Sequence, residues 1–208
     1  MESETDTRSP GRSPGRPRSR EADEAILAAA LDLLIERGVG CVSVEQVARR
    51  AGVTRATVYR RFPDLTALLV RAVEWEYRGI DPESLHWPDV DAMISAWAAQ
   101  LSRPRGRRLM RRLYAAVDDL PELLRAYADV HGHRRTEAVH ATLVRARAAG
   151  QLPPSSDPAV LQQILSGAAL HHLGYPDTAA DEAQVKDYFV AVLRQAGYAA
   201  HGGGSAGE

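Results

Sequence analysis

The sequence has one cysteine, Cys41, and one lysine, Lys186. A lone thiol can form neither a disulfide within the chain nor a zinc site built on several cysteines, which suits a reducing, cytoplasmic setting. Nowhere does the chain approach the run of about 18 apolar residues that spans a bilayer. No apolar run follows Met1, so neither a secretory leader nor a membrane partner is expected. Alternating β-branched stretches and hairpin turns are missing, which argues against a sheet. A nucleophile elbow, a phosphate loop, a metal-spaced His/carboxylate set and a Ser/His/Asp pattern are missing too. No catalytic activity, cofactor or metal is therefore expected. Net charge is also nearly absent: at -1 overall, any nucleic-acid site must come from local segregation of charge.

What is present is helical punctuation. With 208 residues and 45% hydrophobic content, the chain can bury a sizeable core in one or two domains. Residues 1–20 are Ser, Pro, Gly, Arg and Thr with little that is apolar, and read as a disordered basic arm. Ile26, Ala30, Leu33 and Leu34 recur at helical spacing over 21–37, and Gly38 ends the run. Ser43 with Gln46 forms a capping-box pattern for a helix to Arg50. Gly52 breaks it, and Thr54 caps the next short helix, to about Arg61. Asp64 opens a longer helix to about Arg78. Residues 79–87 read as a linker. Helices are then expected at Asp89–Leu101, Arg107–Val117, Pro121–Ala149, Asp157–Leu173 and Asp181–Gln195. The fold class is all-α with about nine helices. The expected domains are a three-helix unit at 21–66 and a larger helical bundle at 67–198, followed by a flexible tail at 199–208.

Two short helices joined by Ala51-Gly52-Val53 make a helix-turn-helix. The second is too short to be stable alone and must be held by its neighbours. Its outer face is then free to enter a major groove. From Arg49 to Arg61 there are five arginines and no acid. Guanidinium groups can bridge a guanine edge or clamp phosphate. Thr54 and Thr57 can donate to phosphate. The alternative for such a charge run is a solvated surface.

The stretch from Ser43 to Leu69, SVEQVARRAGVTRATVYRRFPDLTALL, resembles the DNA-binding domain of the TetR family of bacterial transcription regulators. The resemblance covers about Arg16 to Val73. It implies DNA contact from Ser43, Thr54, Arg55, Ala56, Thr57, Arg60 and Arg61, a phosphate contact from Tyr59, and a core role for Phe62. The sequence departs from the family pattern at Leu65, where members often carry a phosphate-binding lysine. The arm segment Pro14-Gly15-Arg16-Pro17-Arg18 reads in two ways: Arg16 and Arg18 insert into a minor groove, or the segment is a solubilising tail.

The region beyond Asp89 resembles the same family's ligand-binding and dimerisation domain, with the last two helices pairing across a two-fold axis. The resemblance implies a homodimer on a near-palindromic double-stranded operator and a repressor released by an unidentified small-molecule effector. Met93, Trp97, Met110, Tyr114, Tyr127 and His171 are candidate pocket residues, with ordinary core as the alternative for each. Cys41 reads as a small buried filler. The rival functions are an architectural DNA-binding protein without an inducer and a helical enzyme with an incidental basic segment.

Overall fold

The computed structural model describes residues 16–174 and 181–199. It is helical throughout those residues: α1 (Arg16–Arg37), α2 (Val44–Arg50), α3 (Arg55–Tyr59), α4 (Leu65–Tyr77), α5 (Val90–Leu101), α6 (Pro104–Ala115), α7 (Glu122–Tyr127), α8 (His133–Ala148), α9 (Pro158–Leu173) and α10 (Glu182–Gln195). A π-helical turn, Ala128–Gly132, joins α7 to α8 without a break. The long helix expected over 121–149 is thus one rod with a π insertion. Counting that rod once, the described residues hold nine α-helices.

The starts are set by local capping. Asp64, Asp89, Asp157 and Asp181 each accept a backbone N–H from the first turn of the helix that follows. Each thereby satisfies an orphan donor of that turn. Gly38 stops α1 with φ 81°, a left-handed geometry that favours glycine.

Three expectations are corrected. First, α1 starts at Arg16 rather than after residue 20, so Arg16 and Arg18 lie in helix rather than in an extended arm. Pro17 is compatible with a helix's first turn, where its missing N–H is not needed. The rest of the expected arm, up to residue 15, lies outside the described residues, as does the tail beyond 199. Second, α6 begins at Pro104, earlier than the expected Arg107, again because proline opens a helix as readily as it breaks one. Third, Cys41 is exposed, because the 3-10 turn Val39–Cys41 buries none of its residues.

The buried residues form two cores. One gathers α1, α2, α3 and α4, and α6 and α7 reach into it through Leu109, Leu113, Leu123 and Ala126. The other gathers α5, α8, α9 and α10 around Trp97, Phe189 and Leu193. Helix α4 packs on both α1 and α7. The element that leaves the helix-turn-helix therefore runs directly into the larger bundle.

Candidate nucleic-acid interface and effector cavity

The helix-turn-helix is built by short-range hydrogen bonds. Ser43 Oγ accepts from Gln46 N at 3.3 Å, and the Gln46 side chain accepts from Ser43 N at 3.1 Å. Between the helices, Val53 N donates to Ala48 O at 3.0 Å and Gly52 N to Arg49 O at 3.3 Å, with Gly52 at φ 67°. This is the Schellman ending, which turns the chain sharply and satisfies two terminal carbonyls. Thr54 then caps α3, accepting from Thr57 N at 3.2 Å, and its hydroxyl lies 2.9 Å from that of Thr57. Val58 and Phe62 face inward, at 1% and 8% exposure, and anchor the short helix.

The opposite face is open. Thr54, Arg55, Ala56, Tyr59 and Arg60 are exposed, and Thr57 is half-buried. Tyr59 is 47% exposed, unusual for a large aromatic ring that nothing in the chain covers. Ser43 is exposed at the start of α2. These side chains therefore share one accessible end of the molecule.

The five arginines are not equivalent. Arg50 makes a two-pronged ion pair with Glu36, at 2.9 and 2.8 Å, and its hydrogen bonding holds the Glu36 carboxyl below the usual carboxylate range. Arg61 is turned inward. Its guanidinium pairs with Asp23 on α1 and donates to Thr57 O at 3.1 Å, leaving the side chain 16% exposed. Of the arginines expected to contact DNA, Arg61 is thus engaged as a brace between α1 and α3. Arg49, Arg55 and Arg60 form no ion pair with a described residue and are exposed. This face presents three free cations, two threonine hydroxyls and a phenol, a set of donors suited to phosphate and base edges.

A second site lies in the bundle. A cavity of about 290 Å³ sits between α4, α6, the α7–α8 rod and α9, and a smaller one of about 170 Å³ adjoins it. Both are lined by Gln100, His131 and Arg135. Of the expected pocket residues, Met110, Tyr114 and Tyr127 line the larger cavity and Trp97 the smaller. Met93 and His171 line neither. Met93 is fully buried in the second core, and α9 turns Ala169 and Leu173 towards the cavity instead. The residues that sequence reasoning missed are Tyr77, His131 and Arg135. Tyr77 stacks on His131 at 5.2 Å and meets Tyr127 edge-on at 5.0 Å. Burial pushes the Tyr77 and Tyr127 phenols up, and burial with the nearby Arg135 charge lowers His131 to about 4. A readable signal existed: Tyr127, His131 and Arg135 fall at i, i+4 and i+8, one face of a helix. Among the described residues, no cluster of His, Cys, Asp and Glu could hold a metal ion, and no helix is long and apolar enough to cross a membrane.

Comparison with known proteins places this geometry. Residues 26–72 match the family model described as "Bacterial regulatory proteins, tetR family", and residues 83–192 match "Tetracyclin repressor-like, C-terminal domain". The helix-turn-helix-type transcriptional regulator YdeS of Bacillus subtilis is 43% identical over 56 residues, 27% of this chain. EthR of Mycobacterium tuberculosis is 38% identical over 64 residues, 31% of this chain. The matched stretches span 28% and 30% of those relatives' lengths. The crystal structure of NalD from Pseudomonas aeruginosa superposes with a TM-score of 0.64, covering 85% of this chain and 96% of that one at 23% identity. With both halves matched and the whole fold shared, the chain belongs to the TetR family of bacterial regulatory proteins.

Proposed function

We propose that the protein is a cytoplasmic homodimeric repressor that reads a near-palindromic operator with α3 and leaves it when a small molecule occupies the bundle cavity. The observation that carries the DNA-reading role is the open face of α3. Arg55, Arg60 and Tyr59 project from it unpaired while Val58 and Phe62 fix its base. In the groove, Arg55 reads a base edge, Ala56 packs near it, and Thr54, Thr57, Tyr59 and Arg60 hold phosphate, with Ser43 at the flank. Arg61 supports the helix from behind.

Dimerisation has its own support. Helix α9 exposes Val160, Ile164 and Leu170 at 49%, 47% and 46%. A contiguous apolar stripe of this kind is costly on a monomer and self-complementary across a two-fold axis. Release of DNA follows from connectivity. Tyr77, the last residue of α4, is a cavity wall, and the same helix begins at Leu65, a few residues after α3. A ligand that displaces Tyr77 moves a rigid rod attached to the reading head and changes the separation of the two heads in the dimer.

The test is selection of bound fragments from the source genome at moderate salt, followed by footprinting. A protected site with two related half-sites about one helical turn apart is the expected result. Binding with equal affinity to every fragment would reject the reading.

A further inference from the structure

Among the described residues, the cavity holds a positive charge with no counter-charge. Arg135 on α8 lines both chambers, and no described Asp or Glu lines either. Its guanidinium lies 4.1 Å over the Trp97 ring and contacts the Tyr127 phenol, but it forms no ion pair with a described residue. Whole-residue exposure is intermediate, yet desolvation is the main influence on its charge. Both observations are met if the guanidinium faces the partly open chambers that it lines. Arginine stays protonated in such a setting. Held by a ring face and a phenol but meeting no carboxylate among the described residues, its remaining N–H donors suit an anionic partner that arrives.

The walls beside it are aromatic. Trp87 and Trp97 line the smaller chamber and are 6% and 2% exposed. His131, which lines both chambers, stays neutral near pH 7. Among the described residues, the smaller chamber therefore offers one cation and no negative charge. The larger chamber is walled by Tyr77, Tyr114, Tyr127, Met110 and Leu124, a surface for a flat apolar body.

Resting on the effector reading above, we infer that the ligand is a small aromatic monocarboxylic acid. Its carboxylate pairs with Arg135, and its ring lies among the tyrosines. A phosphate monoester fits less well, because its charge of nearly two would meet a single cation. A quaternary or primary amine would face Arg135 directly and is excluded by like charge.

The experiment uses the full-length protein and three matched probe series: benzoate, phenylacetate and naphthoate; their neutral amides; and the corresponding aryl phosphates and benzylamines. Binding is read by calorimetry and by the rise in melting temperature. The acids are expected to bind at least about tenfold more tightly than the amides, the scale of one hydrogen bond to a charged group. Arg135→Gln removes that preference and Arg135→Lys retains part of it. Arg135→Met, which keeps the aliphatic stem but not the charge, also removes the preference and serves if Arg135→Gln fails to fold. Equal affinity for acid and amide, or tighter binding of the phosphates or amines, overturns the assignment while the effector cavity stands. Binding by none of the series overturns both the assignment and the effector reading on which it rests.

Discussion

At the residue scale, arginines that look alike in sequence divide by their partners. Arg55 is exposed and free, and Arg61 is tied to Asp23 and Thr57 O. Arg55→Ala is therefore expected to weaken operator binding by about 1–3 kcal/mol, with a much smaller loss on random DNA. Fluorescence anisotropy on both DNAs measures the difference, and an equal loss on the two would reduce Arg55 to a phosphate contact. Arg61 should behave differently. Arg61→Ala and Asp23→Ala should each lower stability by about 1 kcal/mol, and the double variant by less than their sum. A chemical-denaturation cycle that finds the two additive would show the brace to carry no energy. His131 supplies a pH signature. Its pKa is about 4 in the folded chain, held down by burial and by Arg135, and about 6.5 when unfolded. Above about pH 6.5 both states are neutral and the residue adds no slope. As pH falls from about 6.5 towards 4, the unfolded chain takes up a proton that the folded one refuses, so stability drops. Melting curves of the parent and of His131→Gln should converge, or cross, between about pH 7 and pH 4.5. A gap independent of pH would place His131 outside the buried cluster.

At the element scale, α6 is the joint. Arg107, 1% exposed, donates to Leu101 O at the end of α5 and to His172 O near the end of α9, at 3.1 and 3.2 Å. Arg111 donates to Leu173 O at 3.2 Å, and Arg112 to Ile35 O and Glu36 O at the end of α1, at 3.2 and 3.1 Å. Cations at these carbonyl ends satisfy orphan acceptors and oppose the helix dipoles. One strongly basic helix thereby ties the reading head to the bundle. Arg107→Met keeps the stem but strands two buried carbonyls, and should cost about 3 kcal/mol. Urea unfolding followed by circular dichroism checks this, and a loss below about 0.5 kcal/mol would remove Arg107 from the joint. None of this cross-bracing could be read from the sequence, because it depends on which helix ends converge. What the chain did disclose was local: the Ser43–Gln46 box, the Thr54 and Asp64 caps and the Gly38 and Gly52 stops are chemistry between residues a few positions apart. The π turn escaped, since its one glycine, Gly132, keeps a right-handed helical backbone and only the hydrogen-bond register changes. Tyr114 and Tyr127 were legible as cavity residues because they are large aromatics on amphipathic helices. Met93 and His171 were misplaced because the rotation of α5 and α9 is decided by packing against distant elements.

At the scale of the whole molecule, the question is what completes the surface. Val160, Ile164 and Gly167 fall at i, i+4 and i+7 on α9, with Leu170 a turn further on, all on one exposed flank. No atom lies within 4 Å of a Cβ built at Gly167, so a second helix can approach its backbone closely there. A twin of the same helix, related by two-fold symmetry, would cover each apolar residue with its own kind. Ile164→Glu places a charge at the centre of that contact without touching a core residue. The variant should keep its helical circular dichroism, while its mass by light scattering falls from two chains to the 22.7 kDa of one. Operator affinity should then fall by about a hundredfold or more, because two tethered reading heads bind with a high effective concentration that a single head lacks. Affinity for an isolated half-site should be unchanged, which separates loss of pairing from damage to α3. A variant that stays dimeric and binds the full operator as tightly as the parent would show that the apolar flank of α9 is not the surface through which the two chains meet.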